Sequence, residues 1–433
     1  MHIKIRKGLN VPVPGNSEKQ FGDLPQPKRA ALELSSFVDI RLALKVHEGD
    51  VVQIGTPLAY DKDLAERLFV SPVSGKVVEI KRGEKRRILA VAIELDAEQK
   101  NAPLPKIEKE DRESLIKAFL SAGLFAHIRM RPCDILANPK RHPKSIFVQA
   151  LTSAPYEPPP ELEIEKNKEA FEKGLELLAK IAPVHLIAKE PMQWQHVQTH
   201  SAEGPHPIAN PSLHIYHIDP IKNRDEVVWT VQARDVIAIG IFALENRYYN
   251  KRLIRLAGDP IPEEKRGYYF ATVGTQTGEL FQDENARIIS GNPLTGRQVA
   301  RDDYLGFSDS VLCAIQESHK RKLFHFLRLK TKNYTALKAY LTSKQAQFST
   351  LQHGEERAFV DGGIYQKVMP MELSVMHLIK ALLAEDLELA DELGLLEVAA
   401  EDFALPEFLC PSKVPMSSIA QKGLLAYAQQ YLK

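Results

Sequence analysis

Lys62 lies between two similar half-repeats, where a lysine amine could carry a prosthetic group. Residues 49–57 form the first half-repeat and residues 71–75 the second. A lysine that carries biotin or lipoate must stand at the exposed tip of a tight hairpin, where a ligase can reach it. Here Asp61 and Asp63 make the tip acidic, and the segment that leads to the second half-repeat is long. We therefore predict a carrier-like β fold kept as a scaffold, with no group on Lys62.

Histidines are dense between residues 196 and 217. His196 and His200 are four residues apart, as on a zinc-binding helix face, but no glutamate lies between them as in H-E-x-x-H. His214 and His217 are three apart in a predicted strand, so they would point to opposite faces. The three prolines at 205, 207 and 211 favour a loop throughout the segment. We predict structural or interfacial histidines and no metal site.

Two further groups of residues could suggest a site. The segment FATVGTQTGEL, residues 270–280, lacks G-x-G-x-x-G and the G-K-[ST] of a phosphate loop, which favours turn glycines. Asp302, Asp303 and Asp309 could form a carboxylate set, but the sequence places no acid–base partner beside them. We therefore assign no catalytic, cofactor-binding or metal-binding residue to the chain.

Composition excludes several classes of protein. The 433 residues carry 57 Lys and Arg against 56 Asp and Glu, a net charge of +1 that gives no support for nucleic-acid binding. The three cysteines, Cys133, Cys313 and Cys410, are far apart and too few for a four-cysteine cluster. The longest apolar run, residues 236–244, is about half of the ~20 residues that a membrane helix needs. These features predict a soluble, cytoplasmic chain.

The elements that would position these residues form a mixed α+β and α/β multidomain chain. Residues 1–105, with segments possibly added from elsewhere, are predicted to form a carrier-like barrel-sandwich β module. Residues 106–250 are predicted to form a Rossmann-like α/β domain. A small β-grasp-like domain is predicted for residues 251–330. Residues 331–433 are predicted to form a helical domain whose helix over 372–398 breaks at Gly394.

The Rossmann-like prediction depends on one strand–helix–strand unit. A buried-type strand over 145–151 is followed by the Pro-rich loop APYEPPPE. An amphipathic helix over 165–182 and a second strand over 184–189 complete the unit. A helix over 114–124 precedes it. The apolar residues 227–244 are predicted to form a further strand or a buried helix of the same layer.

Several segments in this order resemble one family across nearly the whole chain. They include IKIRKGLNVPVPG, SPVSGKVVEIKRGEKR, HPKSIFVQAL, EGPHPIANPSLHIYHIDPI, RIISGNPLTG and ERAFVDGGIYQKVMPMEL. The chain is similar to NqrA, the A subunit of the sodium-translocating NADH:quinone reductase. That family is related to the C subunit of the Rnf complex and to the flavin-binding subunit of respiratory complex I.

The resemblance implies an inherited fold that has lost the residues with which the relatives bind their redox cofactors. Those relatives bind flavin and NADH through a glycine-rich helix start and an acidic loop, and hold clusters with cysteines. Here the first element has one glycine, Gly123, while Ser153 and Ala154 stand where the relatives have an acidic residue. The cysteine clusters are reduced to Cys410. The implied protein binds no cofactor itself.

The resemblance also implies a place for the chain. It would be a peripheral subunit on the cytoplasmic face of the bacterial inner membrane, docked to the B subunit within the membrane, near the reduction of ubiquinone. The histidine-rich segment 203–219 and the apolar C-terminal helices are the predicted docking surfaces. The alternatives are a free-standing NADH- or flavin-dependent oxidoreductase of the Rnf C type, and an acyl or carboxyl carrier that depends on Lys62 alone.

Overall fold

The structure is a computed structural model that describes residues 1–432 except 17, 19, 191–192, 282, 284, 319–347 and 351–355. Among the described residues four sheets are present, of seven, six, four and three strands, together with helices at the C-terminal end. This confirms the predicted mixed α+β and α/β multidomain class with a barrel-sandwich module.

The N-terminal module consists of two small antiparallel sheets. Its strands are β3 (Arg29–Glu33), β4 (Leu42–Leu44), β5 (Val51–Val52), β6 (Pro57–Asp61), β7 (Leu64–Val70), β8 (Gly75–Arg82) and β9 (Ile88–Leu95). Strands β3, β9, β8 and β5 form one sheet, and β4, β6 and β7 form the other. Alternate apolar residues of both sheets, including Leu58, Phe69 and Val91, meet in one buried cluster. The cluster holds the two sheets face to face.

The central sheet has seven strands in the order β1-β14-β13-β12-β15-β10-β11. Their bounds are β1 (His2–Lys4), β10 (Arg129–Arg131), β11 (Ile135–Leu136), β12 (Ser145–Ala150), β13 (Val184–Ala188), β14 (Gln198–Glu203) and β15 (Val228–Gln232). The first five strands in this order run parallel, and β10 and β11 are antiparallel additions. Every residue of β12 is buried, as expected for a parallel strand covered on both faces.

Different helices cover the two faces of the central sheet. The helices of this region are α1 (Arg112–Ser121), α2 (Pro160–Lys166), α3 (Lys168–Ala179), α4 (Pro211–Ile218) and α5 (Ala233–Glu245). Helices α3 and α5 pack on the face that carries Val148 and Trp229. Phe147 and Ile187 point to the other face and pack against the C-terminal helices. The alternation of side chains along the strands therefore builds two cores.

The third sheet has six strands in the order β19-β18-β20-β16-β17-β2. Their bounds are β2 (Gln20–Asp23), β16 (Lys251–Ala257), β17 (Gly267–Thr272), β18 (Ala286–Ser290), β19 (Arg297–Val299) and β20 (Val311–Gln316). The helices that follow this sheet in the sequence are α6 (Gly363–Gln366), α7 (Val375–Leu383), α8 (Leu387–Glu392), α9 (Ala404–Leu409) and α10 (Met416–Tyr431).

The first residues of the chain join two other sheets and not the N-terminal module. Strand β1 pairs with β14 of the central sheet, and β2 pairs with β17 of the third sheet. The first 24 residues therefore tie the parts of the molecule together. A boundary drawn by position along the chain, such as 1–105, cannot show this, because β1 lies almost 200 residues from its partner.

Three expected elements differ from the observed ones. The strand predicted through His214 and His217 is wrong, because Pro211 begins helix α4, and proline is well suited to a first helical position. The helix predicted over 165–182 is two helices that break at Asn167. The stretch over 372–398 is interrupted between α7 and α8 before it reaches Gly394, whose φ is +96°.

In the part of the chain that the structure describes, no helix combines the length and the apolar character needed to cross a membrane.

Candidate ligand crevice at the carboxyl end of the central sheet

A crevice of about 410 Å³ lies where four parts of the molecule meet. The N-terminal module contributes Phe37, and the loop after β12 contributes Glu157. Arg234 of α5, Asn292 of the segment after β18, and Glu401 of the C-terminal region complete the walls. Ligand sites commonly lie at such junctions between domains.

Sheet topology explains why a crevice opens here. The chain continues from β12 to β13 on one side, whereas β15 lies on the other side of β12. The strand order therefore reverses at β12, and an open α/β sheet binds ligands beside the carboxyl ends of the strands at such a reversal. Strand β15 ends at Gln232 and α5 begins at Ala233, so the first turn of α5 lies beside the crevice.

Glu157 lines this crevice beside the loop backbone that follows β12. The backbone at Ser153 and Ala154 acts on its carboxyl group to lower the pKa. The side-chain amide of Asn292 donates to its Oε1 at 3.3 Å. Burial raises the pKa of Glu157, and the positive charge of Arg234 and this hydrogen bond oppose that rise.

His206 is a buried residue of the same crevice. The residue is 5% exposed and lines the crevice. Its Nδ1 lies 3.0 Å from Ser153 Oγ, which also accepts the N–H of Ala209 at 3.2 Å. Which of the two atoms donates depends on the tautomer of the ring. Burial lowers the pKa of His206 to about 4, so the ring is neutral at pH 7.

A buried pair of side chains, Asp235 and His127, also lines the crevice. Asp235, in the first turn of α5, lies 2.9 Å from His127 Nδ1, and both side chains are less than a tenth exposed. Burial alone would raise the pKa of Asp235, but the charge and hydrogen bond of His127 outweigh burial and lower this pKa to about 2. The His127 ring also stacks on Phe307 at 4.7 Å between centroids. The pair fixes α5 against the neighbouring domain.

Glu163 of α2 is a second buried carboxylate in this region, in a different situation. It is 5% exposed, and its Oε1 has no hydrogen-bond partner among the described residues. Burial raises its pKa to about 7, and the charges of Arg234 and Arg252 compensate that effect only in part. Glu163 therefore holds a proton in the folded chain over part of the physiological pH range.

Most of the sequence-level candidates lie apart from this crevice. Lys62 is exposed in the two-residue turn between β6 and β7, so the tip is tight and accessible. Gly123 has a φ of +76°, and a Cβ atom there would lie 2.8 Å from a Val70 methyl group. Close packing against β7, and not a phosphate loop, explains this glycine. Cys410 is buried with its Sγ 3.2 Å from the Tyr365 hydroxyl.

The three aspartates do not form one set. Asp303 binds Lys81 Nζ at 2.6 Å, and Asp302 lies 3.6 Å from the same amine, so both tie the third sheet to the N-terminal module. Asp309 lines the crevice and accepts a hydrogen bond from Ser290 Oγ at 2.5 Å. Only Asp309 of this predicted group therefore belongs to the crevice.

The histidines are also separated. His196 is exposed, whereas His200 is buried and its Nε2 lies 3.0 Å from His185 Nδ1. His214 is fully buried between Gln149 and the Ile208 carbonyl oxygen. Among the described residues no group of three or more His, Cys, Asp or Glu side chains could hold a metal ion.

The histidine-rich segment is not a docking surface. Ile208, Leu213 and Ile215 are less than 5% exposed and belong to the core beneath the central sheet. That prediction was wrong, because the apolar residues of this segment pack inside the subunit. On the C-terminal helices, in contrast, Leu383 and Leu389 are 57% and 43% exposed.

The residues that sequence reasoning missed are Glu157, His206 and Asp235. The one usable signal was topological, because a Pro-rich loop directly after a buried parallel strand lies at the carboxyl edge of the sheet. Glu157 stands within that loop. Its partner Asn292 lies 135 residues further along the chain, so no local pattern could link the two.

The fold defines a class of protein: an open α/β sheet with a crevice at its switch point, joined to a barrel-sandwich module. Comparison with known proteins makes the class specific. Residues 3–96 match the model of the NqrA N-terminal barrel-sandwich hybrid domain, and residues 110–247 match that of the NqrA second alpha/beta domain. Together these matches span more than half of the chain.

Full-length relatives agree with these matches. The chain is 34% identical to the A subunit of the Na(+)-translocating NADH-quinone reductase of Chlamydia pneumoniae, over 99% of this chain and 98% of that protein. The corresponding A subunit of Neisseria meningitidis is 32% identical over 98% of both chains. The chain belongs to the NqrA family, the A subunits of Na(+)-translocating NADH-quinone reductases. An NAD+-reducing NiFe-hydrogenase structure is 10% identical with a TM-score of 0.39 over 75% of this chain and 62% of that one, a similarity too weak to define the fold.

Proposed function

We propose that the chain is a peripheral, cofactor-free subunit of a Na+-translocating NADH:ubiquinone reductase, a redox-driven sodium export pump. It acts at the quinone-reduction end, where ubisemiquinone becomes ubiquinol. The relatives' printed names supply the complex, its sodium transport and its quinone reaction. No catalytic residue is assigned to this chain, so the active site belongs to the assembled complex.

The observation that carries the cofactor-free role is the position of Glu157. A flavin or nicotinamide nucleotide binds an open α/β sheet with its phosphate on backbone N–H groups at the switch point. Glu157 lies at that place and accepts a hydrogen bond from the side-chain amide of Asn292 at 3.3 Å. A phosphate would have to displace this side chain.

The chain would dock to the B subunit, embedded in the membrane, from the cytoplasmic face of the bacterial inner membrane. A lasting protein–protein interface needs an apolar centre. Leu383 at the end of α7 and Leu389 of α8 are large apolar side chains that stay exposed close together along the chain. We place the centre of the docking surface on these two residues. Replacing both with glutamate should release the subunit from membranes, whereas the exposed Glu385→Ala variant serves as a control.

Deletion of the subunit in its host tests the proposed function. Without this chain, NADH should still reduce an artificial electron acceptor, but ubiquinone reduction and sodium export should fail. Unchanged ubiquinone reduction in gently solubilised membranes would refute the quinone-end role. The purified chain should also be colourless, and stoichiometric flavin absorbance would favour the oxidoreductase of the Rnf C type.

A further inference from the structure

A second, much smaller cavity borders the Pro-rich loop that connects β12 to α2. Its volume is about 30 Å³, and β12, α2 and the first turn of α5 contribute to its walls. We propose that this cavity is a binding site for one uncharged molecule of the size of water, held by Gln149, Glu163 and Arg234. The inference goes beyond the proposed function and does not depend on it.

Three buried polar atoms of the residues that line this cavity have no hydrogen-bond partner. They are one atom of the Gln149 amide, Glu163 Oε1 and Arg234 Nε, and none of them has a partner in the part of the chain that the structure describes. Gln149 and Glu163 are only 1% and 5% exposed. Buried polar groups are nearly always hydrogen-bonded, so three such atoms around one cavity indicate a ligand that they share.

The neighbouring His214 decides which end of the Gln149 amide faces away from it. His214 Nε2 lies 2.7 Å from the Ile208 carbonyl oxygen, which can only accept, so Nε2 carries a proton. Burial lowers the pKa of His214 to about 4, so the ring is neutral at pH 7 and Nδ1 carries no proton. The Gln149 amide atom 3.0 Å from Nδ1 must therefore donate, which makes it the nitrogen. The amide atom without a partner is then the oxygen.

This arrangement of one donor and two oxygens selects for a neutral ligand. A water molecule would accept from Arg234 Nε and donate to the oxygens of Gln149 and Glu163, which gives the three hydrogen bonds typical of an internal water. A cation would lie against the charge of Arg234, and an anion would lie against two oxygens. Both repulsions are strong in a site removed from bulk solvent.

The volume of the cavity agrees with this choice of ligand. A water molecule needs a cavity of roughly 10–15 Å³, whereas pockets for cofactors and drug-sized ligands measure about 300–1,000 Å³. The Arg234 guanidinium is held in place by its bond from Nη2 to the Ser308 carbonyl oxygen at 2.7 Å. The donor of the site is therefore fixed before the ligand binds.

Water also fits both protonation states of Glu163. Burial raises the pKa of this carboxyl group to about 7, so both states occur near neutral pH. Water donates to the ionised carboxylate, and after rotation it accepts from the protonated carboxyl group. A fixed side-chain donor could serve only the ionised form. The bound water would thus join β12, α2 and α5 over the pH range in which Glu163 titrates.

A crystal structure of the full chain, at a resolution that shows ordered waters, tests the site. We expect one peak of density at about 2.7–3.2 Å from each of the three side chains. Soaks in bromide and in rubidium test the charge of the ligand, because both ions scatter anomalously. Neither ion should give an anomalous peak in this cavity.

Variants assign the density to residues. Glu163→Leu removes one of the two oxygens, so the peak should be lost, whereas Glu163→Gln keeps an oxygen and should keep it. Glu165→Leu is the matched control, since Glu165 is exposed on the same helix and lies outside the lining of the cavity. This control should retain the peak. The soaks of the wild type test the site even where a variant does not fold.

Three results would overturn the inference. The first is an anomalous peak of bromide or rubidium in the wild-type cavity, which would show that the site takes an ion. The second is a wild-type cavity without density, or with density that contacts only one of the three side chains. The third is a peak that survives in Glu163→Leu. None of these results changes the expected outcome of deleting the subunit, so the proposed function is tested separately.

Discussion

The hairpin tip at Lys62 and the crevice at Glu157 are two places where folds of these types can hold a bound group. In both, side chains of the protein itself occupy the position. At the tip, the Arg41 guanidinium forms an ion pair with Asp63, and the two side chains are 73% and 50% exposed. In the crevice, Glu157 is half-buried and accepts a hydrogen bond from the side-chain amide of Asn292 at 3.3 Å. The two regions differ mainly in burial.

Burial decides how much the interactions of charged groups contribute to the stability of the chain. Exposed ion pairs are screened by water and salt and add little to stability. Removing one partner of a buried pair is costly, because it leaves an uncompensated charge in a low-dielectric environment. The comparison therefore predicts large effects of substitutions around the crevice and small effects at the tip.

The largest expected effect is at the ion pair that lines the crevice. Asp235→Ala should reduce the free energy of unfolding by about 3 kcal/mol or more, because Arg252 would lose a nearby buried counter-charge and His127 would lose its hydrogen-bond partner. Chemical denaturation at pH 7 measures this change. The exposed Asp225→Ala is the control and should change stability little. A loss for Asp235→Ala no larger than for the control would contradict the importance of burial.

The same ion pair has a defined pH dependence. The pKa of Asp235 is lowered to about 2 in the folded chain, below its ordinary value near 4. Its contribution is therefore fully present above that ordinary value and is lost as pH falls towards 2. The difference in stability between wild type and Asp235→Ala should narrow over this acidic range.

Glu163 should give stability the opposite dependence on pH. The effect of its substitution on the free energy of unfolding should be somewhat smaller than that of Asp235→Ala. Its pKa is raised to about 7, so folding favours the protonated form, and stability falls as pH rises from about 4.5 towards 7. Glu163→Gln should remove this fall and stabilise the chain by about 3 kcal/mol at most at pH 8. Melting temperatures of both proteins at pH 5 and pH 8 measure the difference. Equal pH dependence in the two proteins would show that Glu163 is not the group responsible.

The sequence was sufficient to predict the parallel strands of the central sheet, but it was not sufficient to predict the crevice. The apolar run at 145–151 and the amphipathic pattern after it predicted the parallel unit, because burial on both faces imposes that composition. The roles of Glu157 and His206 depend on Asn292 and Ser153, which only the assembled domains bring near. The docking surface predicted on the histidine-rich segment was wrong, because the apolar residues of this segment fill a core between the central sheet and the C-terminal helices.

The ion pair at the hairpin tip should matter far less than the buried pair. Arg41→Ala removes the contact with Asp63 but leaves the backbone bond from Lys62 N–H to the Arg41 carbonyl oxygen, 2.7 Å long, intact. The melting temperature should therefore change by no more than about 1 °C. A fall comparable with that of Asp235→Ala would contradict the contrast between the exposed and the buried region.

The smallest expected effect is at Lys62 itself. In protein made by its own host, the mass of the chain should show no group added to this residue. The turn is tight and exposed, so a ligase could reach the amine, and accessibility alone does not prevent modification. What departs from a carrier tip is the surrounding charge, because Asp61 and Asp63 flank the lysine and Arg41 binds across the turn. Intact-mass spectrometry of wild type and Lys62→Arg decides the question. A lipoyl or biotinyl increment that the variant lacks would show that this tip, unlike the crevice, still carries a bound group.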